Sequence, residues 1–273
     1  MEPKQKRILI VIIYLTVFVA FSLFIYWKIK PEETCVDKIK NQNEEDIDCG
    51  GVCAACKKIE ALPLEIKESG VVAGGVAGEY DFYAAVNNPN NLFGSSKLHY
   101  KITLKDSAGN VLSQREGDNY ILPGEKKYIV ETGFKSETAP ASTDFSITSV
   151  DWSQFGEYKK PEIEIVNKNY NEISSGVGFA EAKGLLKNRS PYDFDIIKIE
   201  VILKDAGNKV VALNSTSMRT VKSGEERDFR AFWPTRFPGN VQNMEAQVEV
   251  NVFDSDTFMK RNYQTHKFQE YLQ

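Results

Sequence analysis

Two kinds of hydrophobic patterning divide the chain. Residues 8–27, ILIVIIYLTVFVAFSLFIYW, run for 20 positions without a charge. A helix of that length rises about 30 Å, the thickness of a bilayer's hydrocarbon core. Backbone amides in lipid must pair within the segment, so the pattern predicts a spanning helix. Beyond residue 60 the period changes to two. Leu98, Tyr100, Ile102 and Leu104 alternate with Lys97, His99, Lys101 and Thr103. Met244, Ala246, Val248, Val250 and Val252 alternate with Glu245, Gln247, Glu249 and Asn251. Such alternation predicts strands with one face in a core and one in water. Turn signals punctuate the strands at Asn87-Asn88-Pro89, Ser107-Ala108-Gly109-Asn110, Pro123-Gly124, Ala206-Gly207-Asn208, Ser223-Gly224 and Pro238-Gly239. That spacing favours antiparallel sandwiches.

The β region repeats itself. Val86-Asn87-Asn88 returns as Leu186-Lys187-Asn188, Leu104-Lys105-Asp106 as Leu203-Lys204-Asp205, and Pro123-Gly124-Glu125 as Ser223-Gly224-Glu225. The offset holds at about one hundred residues, a duplicated domain rather than a solenoid repeat. The expected fold is mainly β: two tandem immunoglobulin-like antiparallel sandwiches at 61–154 and 158–255. They follow a tail at 1–7, a transmembrane helix at 8–27 and a cysteine-rich module at 31–60, and precede a C-terminal tail at 256–273. That tail is polar with scattered aromatics, suited to packing on the second sandwich or to folding on a partner. Gly156 to Pro161 form a short joint that limits relative motion of the two sandwiches.

Between helix and sandwiches lie all four cysteines: Cys35, Cys49, Cys53 and Cys56. Four close thiols suit either a tetrahedral zinc site or two disulfides stapling a module too small for a core. Their position after an export segment favours disulfides, with three pairings open. Asp37, Asn41, Asn43, Glu45, Asp46 and Asp48 offer hard oxygens for calcium, though without EF-hand spacing; a solvated acidic loop is the far commoner reading, so no metal site is expected.

The run Cys35-Val-Asp-Lys-Ile-Lys-Asn-Gln-Asn-Glu-Glu-Asp-Ile-Asp-Cys49-Gly-Gly-Val-Cys53-Ala-Ala-Cys56 resembles a cysteine module of exported bacterial surface proteins. Asp37, Asn41, Glu45 or Glu44, Asp48, Gly50 and Gly51 carry the likeness, and Lys38 replaces its usual glycine. The resemblance implies an extracytoplasmic location. The second repeat resembles FxLYD-type envelope domains through Gly184 to Ser190, Val201 to Val210 and Ser223 to Phe229; Lys204 stands where tyrosine is common. The first repeat resembles the related late-embryogenesis-abundant sandwich through Val86 to Asn90 and Gly109-Asn110-Val111. Both resemblances imply an immunoglobulin-like shape and neither implies an activity.

Charge and composition narrow the function. The net charge is −4, and residues 1–30 carry five basic side chains against Glu2, so the remaining body is −8. An acidic body repels phosphate backbones, which argues against nucleic-acid partners. Two histidines, His99 and His266, leave little for acid–base or metal work. No nucleophile elbow, phosphate loop, zinc-protease helix or dinucleotide fingerprint occurs, so no catalytic residue and no cofactor is expected. Asp106 and Asp205 read as turn residues. Asn188-Arg189-Ser190 has the form of a glycosylation acceptor. Phe232, Trp233 and Phe237 flank Pro234, which interrupts a strand, and are the candidate partner surface if they form an exposed edge rather than core. The expected function is a non-enzymatic cell-envelope protein held in lipid through residues 8–27. It would bind or scaffold a protein partner, or serve as an accessory subunit of a secretion, pilus or transport complex. The expected orientation places the N-terminus in the cytoplasm and the body outside.

Overall fold

The computed structural model describes residues 3–29, 34–37, 40–41, 43–45, 47–55, 60–155 and 158–258. The expected tail of residues 256–273 lies outside them from Met259 onward, as does Cys56. The chain divides into two units, Met1–Glu60 and Ala61–Gln273.

In the first unit, α1 (Pro3–Ile29) is one unbroken helix. It is long and apolar enough to cross a membrane, with a mean hydropathy of 3.0 and no buried residue in its span. Its one threonine hydroxyl, Thr16 Oγ1, donates to Ile12 O at 2.8 Å, so the polar atom is satisfied inside the helix. In the cysteine module, Cys35 and Cys53 form a disulfide with Cα atoms 5.5 Å apart. Cys49 is disulfide-bonded as well, and no described cysteine is free. Oxidised sulfurs are not thiolate ligands, which removes the zinc alternative for these residues.

The oxygen-rich loop folds around Glu44. Its carboxylate is 5% exposed and accepts from Asn41 N at 3.1 Å and Asp48 N at 3.2 Å. Glu44 Oε1 also lies 3.1 Å from Cys53 Sγ, which has no proton to donate. Asp37 Oδ2 accepts from Thr34 N and Asn41 Nδ2. The buried acid is thus Glu44, whereas Glu45 is exposed.

The second unit is all β. The first repeat contributes β1 (Glu65–Ala73), β2 (Glu79–Asn87), β3 (Phe93–Lys105), β4 (Val111–Ile121), β5 (Lys126–Lys135) and β6 (Ser142–Gln154). The second contributes β7 (Ile163–Glu172), β8 (Ala180–Asn188), β9 (Phe194–Lys204), β10 (Val210–Val221), β11 (Glu226–Trp233) and β12 (Asn243–Glu249). The sheets are β1-β2-β5 and β4-β3-β6, then β7-β8-β11 and β10-β9-β12, all antiparallel. The two repeats therefore have the same strand order and form two immunoglobulin-like sandwiches. The expected alternation in β3 is realised: Leu98, Tyr100, Ile102 and Leu104 are at most 2% exposed and pack with Phe82, Ala84, Ile129 and Phe134. In the second sandwich Ile197, Ile199, Val201 and Leu203 fill the core with Leu186, Phe229 and Trp233. The alternation expected through Val252 stops earlier, because β12 ends at Glu249 and Val252–Asp254 form a 3-10 turn.

The repeated motifs are clamps. Asn88 and Asn188 are each 1% exposed. Asn88 Nδ2 donates to Phe93 O and Leu122 O, while its Oδ1 accepts from Asn90 N and Nδ2. Asn188 Nδ2 donates to Tyr192 O and Lys222 O, while its Oδ1 accepts from Ser190 N and Oγ. Each asparagine ties two loops with all four of its bonding directions used. The neighbouring turns match too: Gly124 (φ 63°) and Gly224 (φ 74°) occupy the left-handed position. Glu125 and Glu225 accept from Leu122 N and Lys222 N. Asp106 and Asp205 cap their turns through Ala108 N and Asn110 N, and Gly207 N and Lys209 N. Because Asn188 is buried and fully bonded, the folded chain does not offer it to a glycosylating enzyme. Asn188→Ala strands two loop carbonyls, and urea unfolding is expected to show a loss of about 2 kcal/mol.

Of the candidate aromatic edge, Trp233 and Phe237 are core and Phe232 is half-buried. Trp233 and Phe237 are 3% and 4% exposed. Trp233 Nε1 donates to Leu213 O at 3.0 Å, and its ring meets Phe237 and Tyr170 edge-on. Phe232 is half-buried and lies over Gly178, where a Cβ would collide with its ring. Pro234 does end the strand, but after Trp233 has already entered the core.

Candidate functional site

Local alternation assigns one face of β9 to solvent: Ile196, Lys198, Glu200, Ile202 and Lys204. Along that face exposure falls from 57% at Ile196 to 0% at Glu200 and Ile202 and 4% at Lys204. The first sandwich covers it. Ile202, Val210 and Leu213 pack against Val130, with Val72, Tyr83 and Tyr128 around them, forming a third core between the sandwiches. Tyr120 and Leu122 of the first repeat also join the core of the second.

Polar groups lock this junction. Gln247 Oε1 accepts from Tyr128 N at 2.7 Å and its Nε2 donates to Tyr128 O at 3.1 Å, completing the free edge of β5 as a neighbouring strand would. Lys204 Nζ donates to Tyr128 Oη and Glu245. Lys127, with a 1% exposed side chain, donates to Asn119 Oδ1 at 2.9 Å, Tyr120 O at 3.3 Å and Glu249 Oε2 at 3.3 Å. Its ammonium also stands 3.7 Å from the centre of the Tyr120 ring.

At the Ile196 end the two sandwiches part into a cleft of about 550 Å³. Ser96, Asp118, Asn119 and Tyr120 line it from the first repeat. Phe194, Asp195, Ile196, Lys198, Glu249, Asn251, Asp254 and Ser255 line it from the second. Four carboxylates face one ammonium. Asp118 pairs with His99, Glu249 with Lys127, and Asp254 accepts from Asn251 Nδ2. Ser255 Oγ is committed to Asp193 O. Lys198 turns toward the fully buried Glu200. Burial pushes the Glu200 carboxyl up to about 7, against the pull of Lys198 and with further push from Glu249. Burial, and then Glu249, hold the Tyr120 phenol well above its ordinary value, so it stays neutral. Its hydroxyl is buried without a partner among the described residues. This arrangement suits holding a cation: fixed negative charge, an aromatic wall and an apolar rim at Ile196.

Sequence reasoning missed this site. Asp118, Asp195, Glu249 and Asp254 sit far apart in the chain and each reads alone as a surface residue. The candidate calcium oxygens lie in the other unit, and of the candidate aromatic surface Trp233 and Phe237 are core while Phe232 is half-buried.

No protein-family model matches the chain, and no curated protein matches it by sequence. The solved structure of red sea bream transglutaminase is similar at 11% identity, with a TM-score of 0.22, over 71% of this chain and 32% of that one. The chain spans about a third of that protein's length, and a likeness this slight supports no statement about activity.

Proposed function

We propose that the chain is a non-enzymatic envelope protein, anchored by α1, whose paired sandwiches form a rigid extracytoplasmic body that binds a protein partner. The observation that carries this reading is α1 itself: a 27-residue helix with its apolar side chains exposed, a surface that water penalises and lipid does not. The oxidised cysteines support an oxidising compartment for the body. The likeness of the cysteine module and of the second repeat to bacterial envelope domains points the same way. The junction core supports a scaffold role, because it joins the two sandwiches through packing as well as through a linker.

The full-length chain is expected to remain in the membrane pellet through alkaline carbonate extraction. In intact cells a membrane-impermeant amine label is expected to reach lysines of residues 61–258 and spare Lys4 and Lys6. Recovery in the supernatant without N-terminal trimming, or a body shielded from label, would overturn the reading.

A further inference from the structure

We propose that the first sandwich makes a covalent crosslink of its own: an amide between the side chains of Lys127 and Asn119, formed with loss of ammonia and with Glu249 as the proton carrier. This modification is independent of the anchored reading and of any partner.

The three groups are already together. Asn119 stands near the end of β4 and Lys127 near the start of β5, joined by the turn Leu122 to Glu125. Lys127 Nζ lies 2.9 Å from Asn119 Oδ1 and 3.3 Å from Glu249 Oε2. The Asn119 carbonyl carbon is one C=O bond, about 1.2 Å, from that oxygen, so it stands within about 4 Å of the nitrogen. Two donors on one atom fix which way the amide points: Lys127 Nζ and, at 2.8 Å, Tyr120 N. Little water reaches the pair, because the side chains of Lys127 and Glu249 are 1% and 5% exposed. The Tyr120 ring, 3.7 Å from the ammonium, closes one side. An amine held beside a carbonyl in a dry site has an effective concentration that free amines and amides never reach. In the structure the bond is open and Lys127 is paired with Glu249.

The second repeat shows that the fold does not need this trio. One hundred residues on, Arg219 stands in place of Asn119 and Arg227 in place of Lys127. Arg227 donates to Arg219 O at 2.8 Å and to Thr220 O at 3.2 Å, as Lys127 donates to Tyr120 O. A cation over the turn is therefore the shared structural device. An arginine supplies that cation but no nucleophile, since its guanidinium stays protonated. The first repeat instead places an amine, an amide and an acid at one point.

The step needs no further reactant. Glu249 takes one proton from the Lys127 ammonium, and the neutral amine adds to Asn119 Cγ. The new C–N bond places negative charge on Oδ1, where Tyr120 N–H already donates. Glu249 returns its proton to Asn119 Nδ2, the C–Nδ2 bond breaks, and ammonia leaves. The Lys127 nitrogen then gives its surplus proton to Glu249. The products are one secondary amide, one ammonia and a protonated Glu249. Asn119 and Glu249 both line the cleft, which gives the ammonia a way out. The finished bond ties the end of β4 to the start of β5 beside the junction with the second sandwich.

The test is peptide mapping of the full-length chain, purified in detergent, held for days at growth temperature, then reduced and digested. Trypsin cuts after Arg115, Lys126 and Lys135. It is expected to release residues 116–126 and 127–135 as one branched species, lighter by one ammonia than the two separate peptides, with fragment ions placing the bond at Asn119. Glu249→Gln keeps the shape but cannot carry the proton, and is expected to form the branched species about a hundredfold more slowly. Lys127→Arg keeps the cation over the turn, as Arg227 does in the second repeat, and is expected to fold by circular dichroism and to yield none. Separate peptides from a folded wild type overturn the crosslink. Loss of water instead of ammonia, marking a Lys127–Glu249 amide, overturns the choice of Asn119. Crosslinking of Glu249→Gln at the wild-type rate overturns Glu249 as the proton carrier. Membrane pelleting is unaffected in each case, so failure here is distinguishable from failure of the anchored reading.

Discussion

Lys127→Ala is expected to destabilise the body by about 3–5 kcal/mol and to split its unfolding into two transitions. Lys127 is buried at the junction, and its removal takes the ammonium donor from Tyr120 O and Glu249 Oε2, while Asn119 Oδ1 keeps only the Tyr120 N–H. Glu249 is only 5% exposed, so its carboxylate would be left in a poorly solvated place without its cation. Breaking a buried pair from one side costs more than the pair contributes, since the orphaned charge dominates. Lys127 and Glu249 also belong to different sandwiches, which makes the cost a cost of holding them together. Wild-type urea unfolding is expected to be one transition by fluorescence and circular dichroism, whereas the variant should show two. Lys127→Ala combined with Glu249→Ala should recover part of the loss, because the stranded charge is gone. A Lys127→Ala chain within about 1 kcal/mol of wild type would show the pair to be dispensable.

The second large effect is a pH dependence carried by Glu200. Its carboxyl sits near 4.5 in the unfolded chain and about 7 in the folded one. The folded state therefore holds this proton more tightly than the unfolded state. Its contribution favours folding below 4.5, declines as pH rises from 4.5 to 7, and levels off above that. The span corresponds to a loss on the order of 3 kcal/mol. Lys198 is also raised, but it titrates above 10.5 and does not enter this window. Glu65, Glu181 and Glu225 are lowered by hydrogen bonds and nearby cations, so they titrate below the window. Asp81 is raised mainly by burial and acts in the same direction as Glu200. Glu200→Gln keeps the shape without the charge. It leaves Lys198 with a side chain 41% exposed, able to find water. Urea unfolding between pH 5 and 8 should show wild type losing stability with rising pH, and Glu200→Gln falling less steeply and the more stable of the two at pH 8. Parallel curves for the two proteins would remove Glu200 as the source.

Much of the architecture was legible because it is local. An uncharged run of twenty residues has one low-energy solution in lipid. Period-two alternation at Leu98 to Leu104 commits one face to a core whatever that core contains. The hundred-residue offset between Asn88 and Asn188, Asp106 and Asp205, and Gly124 and Gly224 marked a duplication. Those residues recur because each makes short-range bonds, a clamp, an Asx cap or a left-handed turn, that depend on few distant neighbours. The disulfide module was legible as a staple, although spacing alone could not choose Cys53 as the mate of Cys35.

The choice between core and exposed edge at Trp233 stayed open in the sequence because it reports that Pro234 ends a strand but not which way the preceding side chain points. Trp233 enters the core and finds Leu213 O, a partner twenty residues away.

By itself, then, the sequence determined the elements: one lipid-length helix, a cysteine-stapled loop, and twice over a sandwich with its turns and clamps, because those follow from periodicity, backbone freedom and short-range bonding. Only the tertiary structure decided what the outward face of β9 is for. Alternation hands Glu200, Ile202 and Lys204 to solvent, and the other sandwich takes them back. The junction core, the Lys127–Glu249 pair spanning 122 residues and the acidic cleft all arise from that docking. Surface complementarity between two separately folded sheets leaves no period in the chain, since its partners are set by geometry in space rather than by distance along the sequence.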